Sequence, residues 1–279
     1  MSKLYRTREG NIATVDARTQ LTTVGSETAP GPLLVPQGMK YIVGMVVSHI
    51  ASQAVATGYA ALARLEGPGL PNGPEAIAVG AGGNAVATGG NHAIKPKMLE
   101  VAFPVTPGNE ILVFGEMVGT DVGSLEMGVT LVFADTLPSG MSVSRTFTVE
   151  GDITAADTKT NLTTQGSVTA PSPVVPAGVK KIVGMIVAAT SEGLADGYQT
   201  MFVRLGGNAV LNGEQVISIG SCARIAVQSG SDAAAQGVEV TQFKDLDIDV
   251  RASDTIAVSA EGPGVDSGTI HVVVTLLYA

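Results

Sequence analysis

The chain repeats itself at a fixed spacing, and that repeat limits its fold more than any other feature. Ile42-Val43-Gly44-Met45 returns as Ile182-Val183-Gly184-Met185, inside the longer matching phrases "TTVGSETAPGPLLVPQGMKYIVGMVV" and "TTQGSVTAPSPVVPAGVKKIVGMIV". Pro36 and Pro176, Lys40 and Lys180, Arg64-Leu65 and Arg204-Leu205, Asn72-Gly73 and Asn212-Gly213, and Gly80 and Gly220 all lie 140 positions apart. Beyond "TQFKDLDIDV" the spacing becomes 145, which joins Gly123 to Gly268 and "VTLVFA" to "VTLLYA". A shared turn motif does not hold one offset over so long a stretch; an internal duplication does. The expected organisation is an N-terminal arm over residues 1–10, a first module over 11–137, a linker over 138–144 and a second module over 145–279. Pro138, Ser139 and Gly140 give the linker its composition, and its shortness keeps the modules side by side.

Within a module, apolar runs of strand length recur between turn residues. In the second they are "KKIVGMIVAAT", "YQTMFVRLG", "EQVISIG", "GVEVTQFKDLDIDVRA", "DTIAVSAEG" and "GTIHVVVTLLYA", with "RTFTVEG" and "TKTNLTTQG" as weaker candidates upstream. The long fourth run is expected to bend or divide. Ile270, Val272, Val274 and Leu276 alternate with a mixed set, so one face of the last strand is wholly apolar. Asn72-Gly73 and Asn212-Gly213 read as tight turns. Gly44 and Gly184, inside strands, read as bulges or close backbone approaches. The predicted fold is all-β: two tandem homologous antiparallel β-sandwiches of jelly-roll type, because about eight strands in two facing sheets is the usual count for that architecture.

The residues capable of chemistry are few and scattered. The three histidines, His49, His92 and His271, lie far apart in sequence and at non-equivalent places in the repeat, so a cupin-like His-x-His metal site is excluded. Cys222 is the single cysteine, with Gly82 as its repeat partner, and reads as a small buried thiol. It excludes an intrachain disulfide. Ser26 and Ser167 sit in matching Gly-Ser pairs that read as turn chemistry. The glycine-rich "VGAGGNAVATGGN" lacks the Lys-Ser or Lys-Thr of a phosphate cradle and reads as a surface loop. Asp245, Asp247 and Asp249 would share one strand face, a weak candidate for a hard cation. No catalytic residue and no cofactor are expected, and the chain is read as not an enzyme.

A formal charge of −9 argues against a general nucleic-acid surface. Only Lys3, Arg6 and Arg8 at the N-terminus form a basic tip, the candidate contact for nucleic acid or an internal membrane. Sugar-binding sandwiches use exposed aromatic platforms, yet there is no Trp and aromatics total 4%. Tyr59 and Tyr198 are read as matching in the repeat and serve packing as well as binding. "IHVVVTLLYA" is shorter than the roughly 20 apolar residues that a membrane span needs. With no apolar leader at the start, synthesis in a cytoplasm is expected.

Hydrophobic residues make up 45% of the chain and charged residues 15%, so there is much surface to cover and little charge to display. Two fused sandwiches of this kind resemble the double jelly-roll major capsid proteins of icosahedral viruses. The resemblance spans the whole chain and rests on duplication, length and strand count. It implies two upright jelly rolls per chain and three chains in a trimer of pseudo-sixfold outline that tiles a shell. The implied partners are further copies of the chain and other capsid proteins, with no small-molecule substrate. The implied location is the virion, assembled in the host cytoplasm. The competing reading is a non-catalytic cell-surface or fibre module, an adhesion or carbohydrate-binding tandem β-sandwich.

Overall fold

The computed structural model describes residues 1–26, 30–52, 58–83, 92–119, 124–167, 172–192, 197–225, 234–236, 238–265 and 269–279. Among them every regular element is a strand. The first half contributes β1 (Lys3–Ile12), β2 (Thr19–Gln20), β3 (Tyr41–Ser52), β4 (Gly58–Glu66), β5 (Glu75–Gly83), β6 (His92–Leu99), β7 (Phe103–Pro104), β8 (Leu112–Gly119) and β9 (Ser124–Ala134). The second contributes β10 (Arg145–Ile153), β11 (Thr160–Asn161), β12 (Lys181–Glu192), β13 (Gly197–Gly206), β14 (Gln215–Ile225), β15 (Ala234–Gln236), β16 (Val238–Asp249), β17 (Ala257–Glu261), β18 (Gly264–Val265) and β19 (Thr269–Tyr278).

The main strands pair first with last and so on inward: β1 with β9, β2 with β8, β3 with β6, β4 with β5. The second half repeats the scheme as β10 with β19, β11 with β17, β12 with β16 and β13 with β14. Each double ribbon folds over into two sheets, in the orders β1-β9-β3-β6 and β2-β8-β4-β5, then β10-β19-β12-β16 and β11-β17-β13-β14-β15. That is a jelly roll, built twice with the same strand order. All-β, two tandem antiparallel sandwiches is thus the observed fold.

The repeat extends to backbone conformation. Asp16 and Asp157 have φ of 51° and 53°, Gly25 and Gly166 have 55° and 54°, and Gly38 and Gly178 have 81° and 85°. Gly38 and Gly178 close turns in which Met39 and Val179 donate to the carbonyls of Pro36 and Pro176 at 3.1 and 3.2 Å. A positive φ at the third turn position is the reason glycine stands there. Gly44 and Gly184 mark register shifts in β3 and β12, as strand-interior glycines should. The φ of Gly73 and Gly213, 93° and 79°, fit the predicted turns.

Two expectations are corrected. Residues 3–10 do not stand apart as an arm: Lys3 to Ile12 pair with Ala134 to Leu125 of β9. Tyr59 and Tyr198 are not equivalent, because Tyr59 lies opposite Gly82 and Gly119 whereas Gln199 lies opposite Cys222 and Gly264. Gln199 therefore takes Tyr59's place, one residue beyond Tyr198.

A core fills each sandwich, Ile12, Met45, Leu65 and Phe133 in the first and Ile153, Met185, Leu205 and Tyr278 in the second. The first core also continues outward, taking in Ile186, Ala188, Val273 and Leu277 of the second half. These residues stand on the outer face of the β10-β19-β12-β16 sheet, against β4 and β5. The four sheets are therefore stacked in series, and Ala60, Leu62 and Ala78 on the outer side of β4 and β5 are fully buried between the two sandwiches. Small side chains there let the sheets approach closely.

Candidate functional site

The predicted chemical residues do not converge. His49, on β3, points into the first core, where its Nδ1 lies 2.9 Å from the Tyr59 hydroxyl. Burial raises the Tyr59 phenol well above its ordinary pKa. Gly80 is required beside it, since any Cβ there would strike the His49 ring. His271, on β19, places Nδ1 at 2.6 Å from Asp152 Oδ1. The equivalent cross-strand position in the first half holds Asn11 and Glu126, also 2.6 Å apart. His92 begins β6, and its side chain lies outside the described residues. Cys222 is buried in the second core.

Asp247 and Asp249 meet on the same side at Lys181, and Asp245 is set apart from them. β16 bulges where Ile182 pairs Ile248 and Gly184 pairs Lys244, and Asp245 sits in that bulge at φ 59°. The long fourth run therefore bends, as expected. Lys181 is ion-paired with Asp247 and lies 3.6 Å from Asp249, so an ammonium already occupies the place of a cation. No group of three or more potential metal ligands gathers among the described residues. Arg8 of the basic tip is withdrawn as well: it is buried, donating to the carbonyls of Thr7 and Gly31 at 2.8 Å each. Lys3 and Arg6 stay exposed on β1. Most of the glycine-rich loop after Gly83 lies outside the described residues.

What the fold does assemble is the junction between the sandwiches. Arg64 on β4 holds Glu116 on β8 through Nε to Oε2 at 2.7 Å, and its other nitrogens donate to Gln165 Oε1 at 2.9 Å and Gln165 O at 2.6 Å. Ser167 N donates to the remaining Glu116 oxygen. Gly166 comes so close to that carboxylate that no Cβ would fit. The Gly-Ser pair read as turn chemistry is thus a plug seated on a buried ion pair.

Alongside, β5 is the edge strand of its sheet, and its unpaired backbone groups meet hydroxyls instead of another strand. Ala78 N donates to Thr275 Oγ1 at 2.8 Å, Ala76 O accepts from Thr148 Oγ1, and the two threonine oxygens lie 2.8 Å apart. Glu75 accepts from Thr146 N at 2.9 Å and Thr146 Oγ1 at 2.6 Å. Burial pushes the Glu75 carboxyl up to about 7, against the opposing pull of those hydrogen bonds and of Arg145. Asp16 is raised in the same direction, by burial and then by the carboxylates of Glu150, Glu116 and Asp152. At the far side, Glu100 N donates to Gln242 Oε1 at 2.9 Å, Gln242 Nε2 returns to Glu100 O at 2.6 Å, and Lys244 pairs with Glu100 at 2.6 Å. Ser144, at the end of the linker, exchanges hydrogen bonds with Ala102, its N to O at 2.9 Å and the Ala102 N to its Oγ at 3.2 Å.

The junction was not foreseen from sequence. Its signal was present: Glu116 and Gly119 recur as Glu261 and Gly264 at the 145 offset, so Arg64–Glu116 has a counterpart in Arg204–Glu261, with Nε to Oε2 again 2.7 Å.

No family model matches the chain, and no curated protein matches it in sequence. Solved structures that match include an N-glycanase F (PNGase F) peptide, at 10% identity and TM-score 0.38 over 98% of this chain and 95% of that one. They also include the CBM22-1-CBM22-2 tandem domain of Paenibacillus barcinonensis Xyn10C, at 10% identity and TM-score 0.26 over 99% and 92%. A triple jelly-roll protein of an archaeal virus turret matches at 11% identity and TM-score 0.23, over 98% of this chain and 56% of that one. These scores are all below 0.5, and no ligand or activity is transferred from them. They do correct one expectation. An N-glycanase stands among structures similar over almost the whole chain, so reading this pair of sandwiches as not an enzyme is withdrawn.

Proposed function

We propose that the chain is a self-assembling structural protein, a major capsid protein whose trimers tile an icosahedral shell. The observation that carries this reading is the junction: two jelly rolls of one strand order are joined in series through an edge strand, a buried ion pair and an apolar sheet face. A rigid two-sandwich block presents similar outer faces, and a closed ring of such blocks meets its neighbours through one repeated contact. Further copies of the chain and other capsid proteins are the partners in this reading, and the virion is its location. Lys3 and Arg6 are the residues left for a contact with enclosed nucleic acid or an internal membrane, now that Arg8 is buried. Among the described residues no helix is long and apolar enough to cross a membrane.

The test is the mass of the purified protein in solution, followed by electron microscopy. The expected result is a species of three chains that gives regular closed shells under assembly conditions. A protein that stays monomeric in every salt up to its solubility limit overturns the reading.

A further inference from the structure

Each half of the junction has a counterpart on the outside of the molecule. The face of the first sandwich that receives the second is built on Arg64, Glu116 and β5; its equivalent on the second sandwich is Arg204, Glu261 and β14. β5 is buried from Glu75 to Gly82, whereas β14 exposes Val216, the counterpart of Ala76, by 50%. Arg204 holds Glu261 with the geometry of the buried pair, and Glu214 stands 3.0 Å from its Nη1, where Gln165 meets Arg64.

The complementary face is equally visible. Thr148 and Thr275, which cap β5, correspond to Thr7 and Thr130 on the outer face of the first sandwich, 2.9 Å apart in the same pose. The Gly166-Ser167 plug corresponds to Gly25-Ser26. Gly25 keeps the same left-handed backbone, but nothing lies within 4 Å of where its Cβ would be, whereas Gly166 is pressed on Glu116. Tyr5 and Met98, in the places of Thr146 and Gln242, are 58% and 43% exposed. Three of the large apolar residues exposed on the chain thus fall on surfaces whose twins are covered.

We infer that these two outer faces join two copies of the chain head to tail: Arg204, Glu261 and the stretch of β14 that precedes its pairing with β15 at Ala223 in one copy receive Gly25-Ser26 and the Thr7–Thr130 face of the next. The inference rests on the self-assembly reading and names the contact it uses. Ser26 N donates to the Glu261 oxygen that corresponds to the Glu116 acceptor of Ser167. Thr7 and Thr130 supply hydroxyls to the backbone of β14 near Val216, where among the described residues no strand pairs its outer side. Because the two faces differ, the contact is heterologous, and each copy retains one unused half of it until a ring closes.

The experiment uses two variants of the full chain, Val216→Arg on one face and Tyr5→Arg on the other, so that the two altered faces also repel each other. Each side chain is exposed, so the melting temperature of the single chain should not change. Sedimentation should show each variant associating at least about 30-fold more weakly than the parent, the loss expected for one central interface residue. Mixing the variants is the decisive step. Each keeps the face that the other lacks, so the mixture should form a one-to-one pair that grows no further. Ser218→Arg and Met98→Arg are the second set, should either first variant fail to fold. Variants that associate like the parent overturn the contact while leaving self-assembly by other faces intact. A mixture that stays monomeric, or single variants that still dimerise alone, also overturns it. Association abolished by the variants in a parent that never makes shells upholds the contact and sinks the capsid reading instead.

Discussion

Replacing Arg64 by alanine lowers the stability of the folded chain by about 3–5 kcal/mol, because it strands a carboxylate in the interior. Glu116 is fully buried and the Arg64 side chain is 5% exposed, so neither charge can turn to water when its partner is lost. The same change at the twin position is mild. Arg204 is 27% exposed and its partners Glu214 and Glu261 are both solvated in part, so Arg204→Ala costs far less than Arg64→Ala. Urea midpoints of the two variants, measured side by side, check the contrast. The double change Arg64→Met with Glu116→Leu should recover most of the loss, since no buried charge is left behind. Equal effects at Arg64 and Arg204 would show that the junction does not close in solution.

The folded chain is also expected to lose stability as pH rises from about 4.5 to about 7. Glu75 titrates near 7 in the folded chain and near its ordinary value of 4.5 when unfolded, so the folded state holds the extra proton across that window. Stability from this group is complete below the unfolded value and is gone once pH passes the folded one. The shift corresponds to as much as about 3 kcal/mol. Asp16, raised by burial and by its acidic neighbours, moves stability in the same direction. Glu75→Gln keeps an acceptor for Thr146 and removes the charge, so it should flatten the profile and stabilise the protein at pH 8. Denaturant midpoints across the window provide the check. A midpoint that rises with pH in the parent, or a slope unchanged in Glu75→Gln, would refute the assignment.

Much of the fold was legible because the duplication is written in residues that the backbone itself demands. Gly38, Gly73 and their partners keep their identity through positive φ, Pro36 and Pro176 through their turns, and the apolar alternation of β19 through the core it faces. Strand order was not legible, since apolar patterning says which face is buried and not which neighbour covers it. β1 was missed for a local reason: Lys3, Arg6 and Arg8 look like a solvated end, yet Arg8 is caged by backbone carbonyls and every residue from Lys3 to Ile12 has a partner in β9. The aspartate stripe lost Asp245 to a bulge, because the extra residues opposite Gly184 break the period of two, while Asp247 and Asp249 still meet at Lys181. The junction was hardest to see. It lies where the two copies differ, with Glu75 against Gln215 and Ala76 against Val216, and a search for sameness passes over such positions.

The threonine caps on β5 carry a consequence for biosynthesis. Ala76 and Ala78 are in place early in translation, but Thr148 and then Thr275 emerge much later, the last nearly 200 residues downstream. At roughly 5–20 residues per second, the edge waits on the order of ten seconds or more for its final hydroxyl. During that delay its donors and acceptors have only water, and a nascent neighbour on the same message presents an identical open edge. Crowding of ribosomes on one transcript therefore sets a race between completion of the chain and strand pairing among unfinished ones, and slower elongation lengthens the odds against the finished block.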